Sequence, residues 1–151
     1  MKPHGKNPKQ KVYVIIPARL HSTRLAGKLL LDLHGKPLIL HTVEQAKKAR
    51  NIEKVIVATD SEQIFKVVEA SGNIAVITSE DHQSGSDRIT EIAENLPENS
   101  IIVNVQGDEP TISPQTIESA VEAILSDDLI DISTTCEKIS NLNDILSPDV
   151  V

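Results

Sequence analysis

Apolar residues recur along the chain in four short continuous runs, which predict four buried β-strands. The runs are rich in Val and Ile and cover Val12–Pro17, Lys54–Thr59, Asn73–Ile77 and Ser100–Val105. Strands that are buried on both faces carry continuous apolar runs rather than an alternating pattern, and this is typical of parallel sheets. The chain is therefore expected to contain a mostly parallel sheet.

Segments with a helical repeat of apolar residues follow these runs. The predicted helices are Pro37–Arg50, Glu62–Ala70, Ser86–Leu96 and Ser113–Leu125, and each carries apolar residues three or four positions apart. Strand and helix thus alternate four times, which indicates right-handed βαβ units in a doubly wound α/β fold with helices on both faces of the sheet. Further on, Asp131–Glu137 is a candidate strand and Asn141–Ser147 a candidate helical turn.

Composition and charge narrow the possible functions. Lys and Arg number 15 against 22 Asp and Glu, so the net charge is −7, and aromatic residues make up 1% of the 151 residues. An acidic chain with almost no aromatic stacking surface is not expected to bind nucleic acid. No apolar run approaches the roughly 18 residues of a membrane span, and no signal peptide is recognisable. We expect a cytoplasmic protein without membrane contact, with a flexible tail at 1–10 and one domain at 11–151.

The loop after the first strand concentrates positive charge. Arg19, Arg24 and Lys28 lie within it, together with Ser22 and Thr23. In doubly wound sheets ligands bind beyond the carboxyl ends of the strands, and Arg and Lys are the side chains that hold phosphate. The loop matches neither the P-loop nor the dinucleotide fingerprint. It is either an anion site for a phosphate ligand or a solvated basic loop.

Two further segments follow predicted strands. Asp108 lies in Gly107-Asp108-Glu109-Pro110, and one carboxylate facing a triphosphate is enough to recruit Mg²⁺, although turn chemistry alone also accounts for these residues. The segment Asp81–Arg88 is more polar than a helix start requires. Its Ser84 or Ser86 can cap the helix, and its remaining polar groups are either ligand donors or an ordinary surface. Asp60, which follows the second predicted strand, either faces the site or caps the helix after it, and we favour the cap.

In order and spacing, these segments resemble the 3-deoxy-manno-octulosonate cytidylyltransferases, or CMP-Kdo synthetases. This family has a Rossmann-like nucleotide-diphospho-sugar transferase fold. The resemblance covers residue 11 to about residue 114 and is carried by Ile15–Arg19, Ser22–Leu25, Gly27–Lys28, Gly35–Ile39, Val57–Asp60, Asp81–Arg88 and Val103–Pro110.

The resemblance implies a reaction and a set of site residues. The anomeric hydroxyl of 3-deoxy-D-manno-octulosonate (Kdo) would attack the α-phosphate of CTP with Mg²⁺, giving pyrophosphate and CMP-Kdo for lipopolysaccharide biosynthesis. Arg19, Lys28 and Asp108 would be catalytic, with Asp108 as the metal ligand. The implied nucleotide-binding residues are Pro17, Ala18, Arg19, Ser22, Arg24, Lys28, Ser84, Gly85 and Arg88, and the implied sugar-binding residues are Gln106, His82 and Gln83.

The resemblance also implies that the chain is a portion of a longer enzyme. Family members continue for roughly another hundred residues, and that part would carry a second metal-binding Asp, much of the sugar pocket and the interface of a homodimer. We therefore expect the CTP-binding portion of the fold, with the C-terminal part missing. An acceptor such as 8-amino-Kdo or another acidic sugar remains an alternative, as does a CTP-binding fragment with weak catalysis.

Overall fold

The computed structural model of the chain describes residues 10–20, 25–136 and 138. The described residues form six strands, four α-helices and a short 3₁₀ turn, Lys28–Leu30, that follows the first strand. In chain order the elements are β1 (Val12–Ala18), β2 (Asp32–Leu33), β3 (Lys36–Pro37), α1 (Leu38–Ala46), β4 (Lys54–Thr59), α2 (Glu62–Ala70), β5 (Ile74–Ile77), α3 (Gly85–Ala93), β6 (Ile101–Asn104) and α4 (Pro114–Ser126). The four strands and four helices predicted from the apolar runs and repeats up to residue 125 are all present.

Four of the strands form one parallel sheet in the order β5-β4-β1-β6. This confirms the predicted mostly parallel sheet. The chain steps outward from β1 to β4 and β5, and then returns to place β6 on the other side of β1. The strand order therefore reverses between β1 and β6, which is the position where sheets of this kind open a crevice for ligands.

Alternate residues of β1 divide the core between the two faces of the sheet. Val14 and Ile16 pack in the cluster that includes buried residues of α1, α2 and α4, whereas Tyr13 and Ile15 pack with Ile92 of α3. The described helices therefore cover both faces, as predicted. None of them has both the length and the apolarity that crossing a lipid bilayer requires.

A small hairpin, β2–β3, was not among the predicted elements, because two-residue strands carry no readable apolar pattern. His34 and Gly35 form its turn with φ of 54° and 83°, the positive values that a tight hairpin turn requires at both central positions. The Asp32 carboxylate accepts a 2.9 Å hydrogen bond from the Gly35 N–H.

The strand predicted at Asp131–Glu137 is wrong for the residues that the structure describes. Residues 131–136 form no strand, and Ile132, the one large apolar side chain among them, is 87% exposed. With no second apolar residue to bury beside it, the segment gains little from joining the sheet. The turn predicted at 141–147 lies outside the described residues, as does the predicted tail apart from Gln10.

Candidate functional site

The carboxyl end of β1 brings two of the three polar segments into contact. A Cβ atom placed on Gly85 would lie 3.3 Å from Cγ of Pro17, and one placed on Gly107 would lie 3.3 Å from the Pro17 carbonyl oxygen. Such spacing is tighter than ordinary carbon contacts, so glycine permits both segments to approach β1. The segments around residues 85 and 107 therefore converge on the strand that precedes the basic loop.

Arg19 ties the basic loop to the segment before α3. Its Nη2 donates a 2.7 Å hydrogen bond to the carbonyl oxygen of His82, 63 residues away in sequence. The Nε of the same guanidinium is buried and has no acceptor among the described residues. Arg19 thus has donor capacity beyond the bond that positions it. Ser22 and Arg24, predicted for the same loop, lie outside the described residues.

Lys28 and Asp108 form an ion pair between the loop after β1 and the loop after β6. The distance from Nζ to Oδ2 is 2.8 Å, and the side chains are 39% and 45% exposed. Because both remain accessible, each can also meet a ligand from solvent. The structure therefore brings together the cation that sequence analysis assigned to the triphosphate and the carboxylate that it assigned to the metal.

A residue of α1 fixes the backbone next to Asp108 by a hydrogen bond. The hydroxyl of Thr42, which is fully buried, donates a 2.9 Å hydrogen bond to the carbonyl oxygen of Gly107. A Cβ on Gly107 would also lie 3.2 Å from Cδ1 of Ile39 and 3.3 Å from Cδ1 of Leu29. Sequence analysis missed Thr42, although a threonine within an apolar helical stripe was a readable signal of a buried polar contact.

Ser84 caps α3, one of the two caps that the sequence allowed. The Ser84 hydroxyl accepts a 3.1 Å hydrogen bond from the Asp87 N–H, and the Asp87 carboxylate accepts a 2.9 Å bond from the Ser84 N–H. These bonds satisfy donors that a helix start leaves open, and hydrogen bonding by Ser84 lowers the pKa of the Asp87 carboxyl. The side chain of Ser84 remains exposed beside Gly85.

Arg88 is enclosed behind this segment. Its side chain is 0% exposed, its Nη2 donates to Oδ2 of Asp60 at 2.6 Å, and its Nη1 donates to Thr78 Oγ1 and to the carbonyl oxygen of Ser79. The structure thus gives Arg88 a supporting position inside the fold, and its contact with a nucleotide stays a prediction.

Asp60 is not the helix cap that sequence analysis favoured for it. The cap of α2 is Ser61, whose hydroxyl accepts a hydrogen bond from the Ile64 N–H at 3.4 Å. Asp60 pairs with Arg88 instead. A buried guanidinium needs a charged acceptor, whereas the helix start is already capped by the neighbouring Ser61. The pairing joins residues 28 positions apart, so no local pattern indicated it.

The residues predicted for the sugar have partners within their own segments. His82 Nε2 lies 2.5 Å from Oε2 of Glu91, which also accepts the Ser79 N–H, and these hydrogen bonds lower the pKa of the Glu91 carboxyl. Gln83 Nε2 donates to the Asp81 carbonyl oxygen at 3.0 Å. The exposed Gln106 lies beside Asp108, and its Nε2 is 3.4 Å from Oδ1 of Asn104.

The donor set fits a metal ion that arrives with a phosphate ligand. Within the described residues, no group of three or more His, Cys, Asp and Glu side chains could hold a metal by itself. Mg²⁺ binds through one or two carboxylates together with phosphate oxygens and water. Asp108 offers such a carboxylate, half exposed and next to the cation Lys28.

A concavity at the other end of the sheet does not share this chemistry. The groove, of about 680 Å³, is lined by Gln10, Val12, Arg50 and Glu118 among others. Its strongest polar feature is internal, since Arg50 donates to Glu118 through its main-chain N–H, Nε and Nη2 at 2.6–2.9 Å. The accessible cation and carboxylate at the carboxyl ends of β1 and β6 therefore identify the candidate site better than the volume of this groove does.

Comparison with known proteins identifies the family of the chain. Residues 13–151 match the family model described as cytidylyltransferase. A protein of Geotalea uraniireducens named 3-deoxy-manno-octulosonate cytidylyltransferase is 46% identical over 141 residues, which are 93% of this chain and 56% of that protein. A protein of the same name from Francisella tularensis subsp. novicida is 44% identical over 142 residues, with the same two shares.

The fold of a solved relative is also similar. A CMP:2-keto-3-deoxy-manno-octonic acid synthetase complexed with CTP superposes with a TM-score of 0.77 and 40% identity, over 80% of this chain and 50% of that one. The chain thus spans little more than half the length of the curated relatives that it matches.

Proposed function

Because the chain belongs to the cytidylyltransferase family, we propose that it binds CTP with Mg²⁺ at the carboxyl ends of β1 and β6. We further propose that it is the nucleotide-binding part of an enzyme that transfers CMP to Kdo and releases pyrophosphate. The observation that carries the proposal is the 2.8 Å pairing of Lys28 with Asp108 at the point where the strand order reverses.

Arg19 and Lys28 hold the triphosphate in this proposal, together with Arg24 and Ser22 of the same loop. A guanidinium can grip two phosphate oxygens at once and an ammonium acts as a point charge. On a chain of net charge −7, such a local cluster of cations is needed to attract a polyanion.

Asp108 is the proposed magnesium ligand. When bound, Mg²⁺ neutralises charge on the triphosphate oxygens and makes the α-phosphate a better electrophile. In the free chain Asp108 is paired with Lys28, so a metal at Asp108 and a phosphate at Lys28 would each replace one partner of the pair. We therefore expect Mg²⁺ and CTP to strengthen each other's binding.

The nucleoside is proposed to lie along Pro17, Ala18, Ser84 and Gly85, and the sugar near His82, Gln83 and Gln106. Close approach of Gly85 to Pro17 builds a narrow floor on which a pyrimidine and ribose can lie against backbone. The chemistry asked of the protein is positioning and charge neutralisation, since the anomeric hydroxyl of the sugar is itself the nucleophile. An assembly of two full-length copies belongs to the same proposal.

Pyrophosphate release by the purified chain with Mg²⁺, CTP and Kdo tests the proposal. Release should require CTP rather than UTP or ATP, should require the sugar, and should fall by about 10²-fold or more in Asp108→Asn. Glu109→Gln is the matched control, because it removes one exposed carboxylate from the same turn and should retain activity. An arm with 8-amino-Kdo distinguishes the two acceptors.

Each outcome bears on a separate part of the proposal. CTP binding without release in any sugar arm would confine the function of this chain to nucleotide binding. Equal loss in Asp108→Asn and Glu109→Gln would remove the assignment of the metal to Asp108. Absence of CTP binding would overturn the proposal as a whole.

A further inference from the structure

We propose that Asp60 is a positioning residue for nucleotide selection, acting through the buried guanidinium of Arg88 on the segment 82–85. The inference rests on the proposed CTP site, and it assigns a role to a residue that was expected only to cap a helix. The contact that Asp60 makes is with Arg88. Its carboxylate fixes the first turn of α3 against the ends of β4 and β5.

The Arg88 side chain is a fully enclosed cross-link between three elements. It projects from the first turn of α3 to Asp60 after β4 and to Thr78 and Ser79 after β5. Its Nε is buried with no acceptor among the described residues, and Asp60 pairs directly with the guanidinium at 2.6 Å. Within the described residues, Asp60 is the only carboxylate within ion-pair distance of Arg88. A buried charge with one neutralising partner is strongly sensitive to the loss of that partner.

The element that this cross-link fixes is also the one that meets the basic loop. Gly85, three residues before Arg88, lies against the ring of Pro17, and the carbonyl oxygen of His82 accepts the hydrogen bond from Arg19. A shift of α3 away from β4 would therefore move the floor proposed for the nucleoside. Of the proposed triphosphate residues, Lys28 and Asp108 are paired with each other through elements other than α3, whereas Arg19 is bonded to the segment itself. A shift of the segment can therefore weaken both nucleotides through Arg19, and the change in preference between them is the specific sign of a displaced nucleoside floor.

This separation makes the role distinguishable from a general contribution to folding. CTP and UTP carry the same triphosphate, so a change at Lys28 and Asp108 affects both ligands equally, whereas a displaced nucleoside floor alters the preference between them. Asp60→Asn keeps the size of the side chain and an acceptor oxygen but removes its charge. Glu62→Gln is the matched control, since it removes the same charge two residues from Asp60. The Glu62 side chain is 70% exposed and pairs with Lys66 within α2.

The experiment is titration calorimetry of CTP and of UTP, with Mg²⁺, into the wild-type chain, Asp60→Asn, Asp60→Ala and Glu62→Gln. We expect the ratio of the UTP to the CTP dissociation constant to fall by about three- to tenfold in Asp60→Asn, and at least as much in Asp60→Ala. The ratio in Glu62→Gln should equal that of the wild type. Hydrogen exchange of the ligand-free chain should become faster at amides 82–88 in Asp60→Asn and unchanged in Glu62→Gln.

An unchanged ratio in folded Asp60 variants, or equal weakening of CTP and UTP, would overturn the inference. Failure of both variants to fold would overturn it too, because the pair would then support the whole domain rather than this segment. A wild-type chain that binds CTP no better than UTP would refute the proposed function instead. In that case the exchange rates at 82–88 still decide whether Asp60 positions the segment.

Discussion

Replacement of Thr42 by Val tests how the fold supports the loop that carries Asp108. The substitution preserves the shape of the side chain and replaces the hydroxyl with a methyl group. That hydroxyl donates a 2.9 Å hydrogen bond to the Gly107 carbonyl oxygen, and Thr42 is 0% exposed. A buried carbonyl that loses its donor costs about 1–3 kcal/mol. For a domain of this size the melting temperature should then fall by roughly 2–12 °C.

Thermal and urea unfolding measure the stability of Thr42→Val, and calorimetry measures its affinity for CTP with Mg²⁺. Thr42→Ser is the control, because it keeps the hydroxyl and loses a methyl group. It should retain the affinity of the wild type for CTP, whereas Thr42→Val should bind CTP more weakly, since Asp108 follows Gly107 directly. The reasoning is refuted if Thr42→Val is within about 0.5 kcal/mol of the wild type and binds CTP equally well.

Three further predictions concern the same end of the sheet. Gly107→Ala should lower the free energy of unfolding by about 1–3 kcal/mol in a urea titration, because the added methyl lies 3.2–3.3 Å from its neighbours; a neutral effect would contradict the packing described. Ser84→Ala should lower the free energy of unfolding by about 1 kcal/mol through loss of the helix cap. Ser86→Ala, two residues further along the chain, should lower it much less in the same assay. Hydrogen bonds from His82 and from a main-chain N–H lower the pKa of the Glu91 carboxyl. The stability that this carboxylate contributes is therefore present above the ordinary glutamate pKa and is lost as the pH falls through the lowered value. Glu91→Gln should flatten the acid side of a stability–pH profile, and an unchanged profile would contradict this.

The sheet and its helices could be predicted because their signals are local. Strands β1 and β4 are continuous apolar runs, and the helices repeat apolar residues at one face, so burial on the sheet follows directly. The hairpin β2–β3 could not be predicted, since each strand is two residues long. The strand expected from Asp131 was wrong because a single large apolar side chain, Ile132, does not supply enough buried area to add an edge strand.

The candidate site could be predicted in its parts but not in its connections. The carboxyl ends of parallel strands meet at one edge, which was enough to group the basic loop, Asp108 and the segment before α3. The contacts that hold these parts together join residues that are distant in sequence, such as Thr42 with Gly107 and Lys28 with Asp108. No local pattern in a single sequence indicates such pairings, because they form only in the folded chain.

The proposed site requires that CTP and Mg²⁺ bind at Lys28 and Asp108 and that each strengthens the binding of the other. Titration calorimetry of CTP into the wild-type chain, Asp108→Asn and Glu109→Gln, each with and without Mg²⁺, measures that coupling. We predict that Mg²⁺ tightens CTP binding in the wild type and in Glu109→Gln, and that this gain is lost in Asp108→Asn. No CTP binding by the wild type, or an equal gain from Mg²⁺ in Asp108→Asn, would contradict it.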